Sequence, residues 1–147
     1  MARDFESYEN LIEETDINIK NENGASLLRI AVAYGSEDIA LDLIARGIDI
    51  DQRDRKGTTE LQNALLVNLP KVAYQLIAQG ADLHHRDHYG NNALWYASTH
   101  PKRDLELVRL LVEKGSDIIT QNAAGRSPID AAQERGDELL LEILRNP

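Results

Sequence analysis

Apolar residues recur at helical spacing in four separate stretches of this chain. Aliphatic side chains three and four residues apart predict amphipathic helices, because residues at that spacing share one helix face. These residues are Ile39, Leu43 and Ile44; Val72, Leu76 and Ile77; Leu107, Leu111 and Val112; and Leu139, Ile143 and Leu144. Each stretch is preceded by a shorter one, whose core residues are expected to be Leu28, Leu61, Leu94 and Ile129. The pattern predicts four pairs of short helices.

Glycines divide this pattern at nearly constant intervals. One series is spaced by 33, 33 and 35 residues and consists of Gly24, Gly57, Gly90 and Gly125. A second is spaced by 33 and 35 residues and consists of Gly47, Gly80 and Gly115. The first series is expected in turns that need a positive φ, and the second at the ends of the second helices. Two series in one register indicate an internal repeat.

The start of each first helix also has a recognisable signal. A residue whose side-chain oxygen can accept a free backbone amide precedes each of them. These residues are Ser26, Thr59, Asn92 and Ser127. Pro128 follows the last of them at the first helical position, where a missing N–H has no cost. The predicted elements are therefore helices that begin at defined residues.

Together these features resemble the ankyrin repeat, with its turn, its Gly-x-Thr-Pro-Leu-His-like helix start and its Gly-Ala-Asp-Val-Asn-like return. The likeness is carried by NENGASLLRIA from Asn21, DRKGTTELQNA from Asp54, DHYGNNALWYA from Asp87 and NAAGRSPIDAA from Asn122. It implies an all-α solenoid of about four helix-turn-helix repeats within a single domain, 1–147. The repeats would be 21–53, 54–86, 87–121 and 122–147. Residues 1–20 would form an N-terminal capping half-repeat, with a helix near 5–14.

The chain departs from the ankyrin pattern in two respects. The motif histidine is replaced in the four repeats by Arg29, Gln62, Trp95 and Asp130. In the family this histidine commonly bonds to the backbone between neighbouring repeats, so those bonds are expected to be made otherwise or lost. Repeat 3 also carries two extra residues within STHPKRD, which predicts a longer link between its helices.

Charge and composition narrow the classes of function. The chain has no cysteine and a net charge of −9, which excludes disulfides and argues against direct binding of nucleic acid. No apolar run is long enough for a membrane span or a signal peptide, so we expect a cytoplasmic protein. Residues 1–53 hold 5 basic and 12 acidic residues, a net of −7. This acidity either steers a basic partner or simply keeps a terminal repeat soluble.

The resemblance places the turn tips and the ends of the first helices on a concave surface, where ankyrin proteins mostly bind partner proteins. The candidate partner contacts on it are Tyr34, Arg55, Lys56, Leu66, Val67, His88, Tyr89, Asn91, Trp95, Tyr96, His100 and Arg126. Repeat 3 stands out because it holds the only Trp and two of the five Tyr, and exposed aromatics are typical interface anchors. One of Trp95 and Tyr96 is expected to be buried between repeats.

Catalytic and metal-binding patterns are weak. His84, His85 and His88 lie near one turn, but in an extended chain the side chains of the first two diverge, which favours a structural or exposed role over a metal site. Acidic pairs fall at solvated helix ends without the burial that tunes a catalytic carboxylate. We therefore expect no enzyme, no catalytic residue and no cofactor. A metal-binding or enzymatic protein that uses the histidine turn is the minor alternative.

The sequence thus predicts a protein that binds another protein as an inhibitor, adaptor or scaffold, and that is a monomer when free. Repeat 3 and its second helix, DHYGNNALWYAS and ELVRLLVEKGSD, are similar to small bacterial ankyrin proteins that are often paired with secreted toxins. That resemblance implies an immunity protein that neutralises a toxin, and the acidic first third would suit a basic toxin such as a nuclease. A structural scaffold or adaptor in a larger assembly is the alternative.

Overall fold

The computed structural model describes residues 16–147, and in that part of the chain eight helices follow one another as four pairs. The first helices of the pairs are α1 (Leu27–Ala33), α3 (Glu60–Leu66), α5 (Ala93–Thr99) and α7 (Pro128–Glu134). The second helices are α2 (Glu37–Ala45), α4 (Pro70–Ala78), α6 (Leu105–Glu113) and α8 (Glu138–Arg145). The all-α repeat architecture is confirmed. The predicted helix near residues 5–14 lies outside the described residues.

Each first helix begins at the predicted capping residue. The side-chain oxygens of Ser26, Thr59, Asn92 and Ser127 each accept the amide three residues ahead, at 3.0, 3.3, 2.8 and 3.3 Å. In α3 and α7 the third helical residue bonds back to the capping residue and completes a capping box. The local sequence therefore fixes where each first helix starts.

The links between paired helices are short, with one exception. In repeats 1, 2 and 4 the chain reverses in three residues, and the middle residue is left-handed: Gly35 at φ 67°, Asn68 at φ 58° and Gly136 at φ 61°. In repeat 3 the link covers the five residues 100–104, and it starts at His100 in an extended conformation with ψ 134°. The predicted longer link is confirmed.

Aliphatic side chains from all four repeats form one core. Leu28, Leu61 and Leu94 are almost completely buried, as the spacing predicted, while Ile129 is half-buried. The prediction that Leu139 lies on the apolar face of its helix with Ile143 and Leu144 is wrong, because its side chain is 55% exposed while those two are buried. Leu140 is buried in its place. One position along a helix rotates a side chain by about 100°, and Leu140 is the residue that keeps the 33-residue spacing from Leu107.

The helices stack in two rows. The first helices α1, α3, α5 and α7 pack successively against one another. In the outer row α2 packs on α4 and α6 on α8, but α4 and α6 pack less closely. This looser contact coincides with the longer link of repeat 3. Within the described residues no helix has the length and apolar character needed to span a membrane.

Candidate functional site

Four turns of the same construction precede the first helices. In each turn a side-chain oxygen accepts the backbone amides two and four residues ahead, at 2.8–3.2 Å. The residues that supply this oxygen are Asn21, Asp54, Asp87 and Asn122. The fourth residue of each turn is a predicted glycine, with φ between 72° and 77°. We refer to the four turn tips and the exposed sides of the first helices as the turn face.

Adjacent turn tips are joined at the junction between repeats 2 and 3 and at the junction between repeats 3 and 4. The amide of His88 donates to the carbonyl of Lys56 at 2.9 Å, and the amide of Ala123 donates to the carbonyl of Tyr89 at 2.8 Å. These are equivalent positions of successive repeats. At the first junction the equivalent bond, from Arg55 to Asn23, is absent from the backbone bonds of residues 16–147.

The space around the turn glycines shows the same difference between the junctions. A Cβ added at Gly90 would lie 3.1 Å from the Cα of Asn122 and 3.3 Å from the amide nitrogen of Ala123. A Cβ added at Gly24, the equivalent position of repeat 1, would meet nothing within 4 Å. The first junction is therefore open at the turn tips, whereas the second and third are closed.

Inside the junctions, the residues that replace the motif histidine make substitute bonds. Arg29 donates through Nη2 to the carbonyl of Thr58 at 2.7 Å. Gln62 donates through Nε2 to the carbonyl of Asn91 at 2.9 Å and to that of His85 at 3.1 Å. Thr58 and Asn91 are equivalent positions 33 residues apart. The inter-repeat bonds are thus made otherwise at the first two junctions.

The third junction uses an aromatic ring at the same position. Trp95 lies under the guanidinium of Arg126, whose central carbon is 5.6 Å from the ring centroid, a distance suited to a cation–π contact. Arg126 occupies the position equivalent to Thr58 and Asn91. Tyr89, at the tip of the same junction, is 52% exposed. We refer to Tyr89, Trp95 and Arg126 as the aromatic patch.

Two further candidate contacts on the turn face also have structural partners. The hydroxyl of Tyr96 donates to the carboxylate of Asp87, and burial together with this bond raises the pKa of Tyr96 to about 12. The side-chain oxygen of Asn91 accepts from Asn122 at 2.8 Å. The expectation that one of Trp95 and Tyr96 is buried is wrong, since both are half-buried. The Tyr96 ring packs against the core while its hydroxyl reaches the turn, so the side chain is only partly buried.

The remaining candidate contacts lie at the other ends of the first helices. Tyr34, Leu66 and Val67 are 84%, 50% and 40% exposed, while His100 is half-buried and accepts the amide of Lys102 at 3.1 Å. A seven-residue helix separates each of these positions from the turn by about 10 Å. The structure therefore divides the predicted site residues into two sets, one at the turn tips and one at the helix ends.

The histidine turn has a structural contact and no metal geometry. His85 is half-buried, and its Nε2 lies 2.5 Å from the carbonyl oxygen of Gly57, whereas His84 and His88 are exposed. Across the part of the chain that the structure describes, no three His, Cys, Asp or Glu side chains converge as metal ligands would. The arrangement gives no support to the metal-binding alternative.

An ionic network at the first junction was missed by sequence reasoning. Arg29 donates through Nε to Glu60 at 2.9 Å and through Nη1 to Asp54 at 3.1 Å. The Glu60 side chain is only 1% exposed, and its second oxygen is buried without a partner. Burial raises the pKa of Glu60 to about 6, although Arg29 opposes the shift. This network lies beneath a cavity of about 570 Å³ between the tips of repeats 1 and 2.

Comparison with known families gives one clear match. A family model described as Ankyrin repeats (3 copies) matches the chain twice, over residues 2–87 and 61–146. The two matches overlap and together span nearly all of the sequence. No curated protein is similar enough to the chain to count as a match.

Proposed function

This chain belongs to the ankyrin-repeat family, whose members are generally protein–protein interaction modules, and we propose that it binds a partner protein through its turn face and does not act as an enzyme. The observation that carries the proposal is the aromatic patch. Aromatic and arginine side chains contribute most of the binding energy at many interfaces. Here they share one junction of the turn face.

The aromatic patch is held in place by contacts within the protein. The backbone of Tyr89 is bonded to Ala123, and Trp95 is covered on one side by Arg126. Arg126 is in turn ion-paired with Glu134 on α7. A surface that is ordered before binding loses less conformational entropy on association. This order favours the aromatic patch as the centre of the interface.

We propose different roles for the other candidate contacts. Arg55, Lys56 and His88 are exposed at the turn tips and are proposed to contact the partner around the aromatic patch. We propose that the set at the helix ends extends that interface along the first helices. Its members are Tyr34, Leu66, Val67 and His100. Asn91 and Tyr96 are bonded within the turns, so we propose that they support the surface more than they touch the partner.

The test begins with the natural partner. The tagged protein is purified from its native host with chemical cross-linking, and mass spectrometry identifies what it retains. Tyr89→Ala and Trp95→Ala are each expected to weaken binding of that partner by more than about tenfold, as truncation of interface anchors does. Circular dichroism should show unchanged helical content for Tyr89→Ala, which lies at a turn tip.

A matched control is available on the opposite side. Leu139 on α8 is 55% exposed, close to the 52% of Tyr89, but lies on a second helix away from the turns. Leu139→Ala is expected to bind the partner normally. If Leu139→Ala weakens binding while Tyr89→Ala and Trp95→Ala do not, the interface lies on the outer row and the proposal is wrong.

The narrower proposal is that the protein is a cytoplasmic inhibitor, of the immunity type, for a basic toxin such as a nuclease. It is supported by the net charge of −7 over residues 1–53, and by exposed acidic side chains in the described part of that segment. These are Asp16, Glu22, Asp38, Asp49 and Asp51. An acidic surface speeds association with a basic partner.

Stoichiometry and activity separate an inhibitor from a scaffold. Neutralisation of the partner's activity at an equimolar ratio would support the inhibitor. Binding that leaves this activity unchanged would support the scaffold or adaptor. Size-exclusion chromatography with light scattering measures whether the free protein is the expected monomer.

A further inference from the structure

The cavity at the first junction exists because the tips of repeats 1 and 2 are not joined. Its walls include Asn23 and Gly24 from the first turn and Arg55 and Lys56 from the second. At the other two junctions a backbone bond draws the equivalent tips together. The cavity, of about 570 Å³, therefore lies where the tips are open.

The free charges of this cavity are positive. Arg29 is occupied by Asp54, Glu60 and the carbonyl of Thr58, so its guanidinium is not available to a ligand. Three further cations line the cavity, namely Arg53, Arg55 and Lys56. All three are exposed, and none forms an ion pair with another residue of the described range.

Comparison with repeat 3 shows that Arg53 is free for a local reason. Arg86, the equivalent residue, donates to the carbonyl of Gly90 at 2.9 Å and also to that of Gln121 in the next repeat. For Arg53 the equivalent carbonyl is that of Gly57, which is taken by His85. Arg86 therefore bridges the third and fourth turns, whereas the Arg53 side chain makes no such bond within residues 16–147 and lines the cavity at the first junction.

The backbone supplies a further donor. The amide of Arg55 is equivalent to those of His88 and Ala123, which bond to the preceding turn. With its own junction open, Arg55 has no backbone partner within residues 16–147. An N–H beside guanidinium and ammonium groups is the combination that binds carboxylates, and arginine does so in a bidentate geometry.

We propose that this cavity is a docking site for an acidic segment of the partner protein, whose Asp or Glu side chains enter between the first two tips. Arg53, Arg55 and Lys56 pair with its carboxylates, and the amide of Arg55 donates to one of them. The inference rests on the proposed binding function and adds the chemistry of one subsite. A partner that is basic overall can still present such a local acidic segment.

The experiment uses a defined probe and the full chain. A fluorescein-labelled oligo-glutamate peptide is titrated with the protein at low ionic strength, and fluorescence anisotropy follows binding. The affinity is expected to fall steeply as salt is added, because exposed charges are screened. In ¹H–¹⁵N spectra the amide resonance of Arg55 is expected to shift more than those of His88 and Ala123.

Charge-reversed variants provide the matched control. Arg55→Glu/Lys56→Glu should weaken peptide binding by about tenfold or more, the effect of losing two charge-assisted contacts. Lys102→Glu/Lys114→Glu changes the net charge equally, at two exposed lysines that do not line the cavity, and should retain binding. Circular dichroism checks that both variants are folded.

Each alternative outcome overturns the inference. Absence of binding by the wild-type protein, equal losses in the two double variants, or tighter binding of a single-stranded oligonucleotide than of the peptide would each do so. Trp95→Ala separates this proposal from the preceding one. It should leave the oligo-glutamate affinity unchanged while weakening the natural partner, so either proposal can fail alone.

Discussion

The first and second junctions of this array connect equivalent backbone positions, but the first does so with charged side chains and the second with a neutral one. At the first, Arg29 joins two carboxylates to the carbonyl of Thr58, one carboxylate oxygen is buried without a partner, and the turn tips stay apart. At the second, the neutral amide of Gln62 reaches two carbonyls and the tips are joined. The same backbone register therefore tolerates both an ionic, open junction and a neutral, closed one.

The difference shows how the junctions of a linear array can serve either stability or ligand binding. In such an array stability is roughly a sum of repeats and nearest-neighbour interfaces, so one junction can be less well satisfied while its neighbours hold the stack. The closed junctions fix the aromatic patch in place. The open one leaves room and free donors for a ligand. The following predictions test this contrast.

Truncation inside the two junctions should have the largest effects. Arg29→Ala leaves Glu60 buried without its cation, so we expect a loss of about 3 kcal/mol in the free energy of unfolding above pH 6. Gln62→Ala leaves carbonyls unpaired and should cost about 2 kcal/mol. Urea denaturation measures both. Only the Arg29→Ala loss should shrink as the pH is lowered, because Glu60 can then take up a proton, and equal pH dependence in both variants would contradict the ionic description.

The cost of adding a methyl group at a turn tip should distinguish a closed junction from an open one. Gly90→Ala places a side chain in the left-handed region and against the backbone of the next turn, which should cost about 2.5 kcal/mol. Gly24→Ala has the same φ of 77° but open space, and should cost only about 1 kcal/mol. Thermal or urea unfolding measures the two losses. Equal losses would mean that the first junction is as closed as the third.

The buried carboxylate should make stability depend on pH. The pKa of Glu60 is raised from 4.5 to about 6, so the folded state binds this proton more tightly than the unfolded state does. Its contribution is therefore most favourable below 4.5 and is lost as the pH rises through about 6, a change of about 2 kcal/mol.

Glu60→Gln isolates that contribution. The amide keeps an oxygen that can accept from Arg29 but does not titrate. Between a pH below 4.5 and one above 6, we expect the wild-type protein to lose about 2 kcal/mol more stability than the variant. Chemical denaturation at the two pH values gives the difference, and parallel curves would contradict the raised pKa.

Removal of the cation at the third junction should have the smallest effect. Arg126→Ala removes the contact with Trp95 and an ion pair with Glu134 whose side chains are 41% and 53% exposed, and we expect a loss of about 1 kcal/mol. Trp95 is the only tryptophan, so its fluorescence spectrum should change with this variant. An unchanged spectrum would show that Arg126 does not cover the ring in solution.

Most of the fold could be predicted because its signals are local. Capping residues such as Ser26 and left-handed glycines such as Gly57 act within a few residues of their own turn. The longer link of repeat 3 also follows from two extra residues within one segment. The exchange of Leu139 for Leu140 was not foreseen, because leucines occupy 139, 140 and 141 in a row and helical spacing alone does not choose among them; the 33-residue spacing from Leu107 does.

The candidate site was predicted only in part, because it depends on distances between repeats. Arg29 and Glu60 are 31 residues apart, and no local pattern shows that they meet. The signals that could have found this junction were the run RDRK at residues 53–56 in an acidic chain, and a glutamate at the helix-start position where the family has proline. Whether the tips are joined is a tertiary property that spacing alone does not report.

The looser contact between α4 and α6 has a mechanical consequence. The row of first helices remains packed there, through α3 and α5. In the outer row, a bond from the Tyr74 hydroxyl to Asp104 at 3.3 Å crosses the gap between α4 and α6. A chain stretched from its two ends should yield first at its weakest interface. Within the outer row we therefore expect α4 and α6 to separate first when the two ends are pulled apart, so that the second junction opens like a hinge while the bonds of Gln62 keep its first helices together.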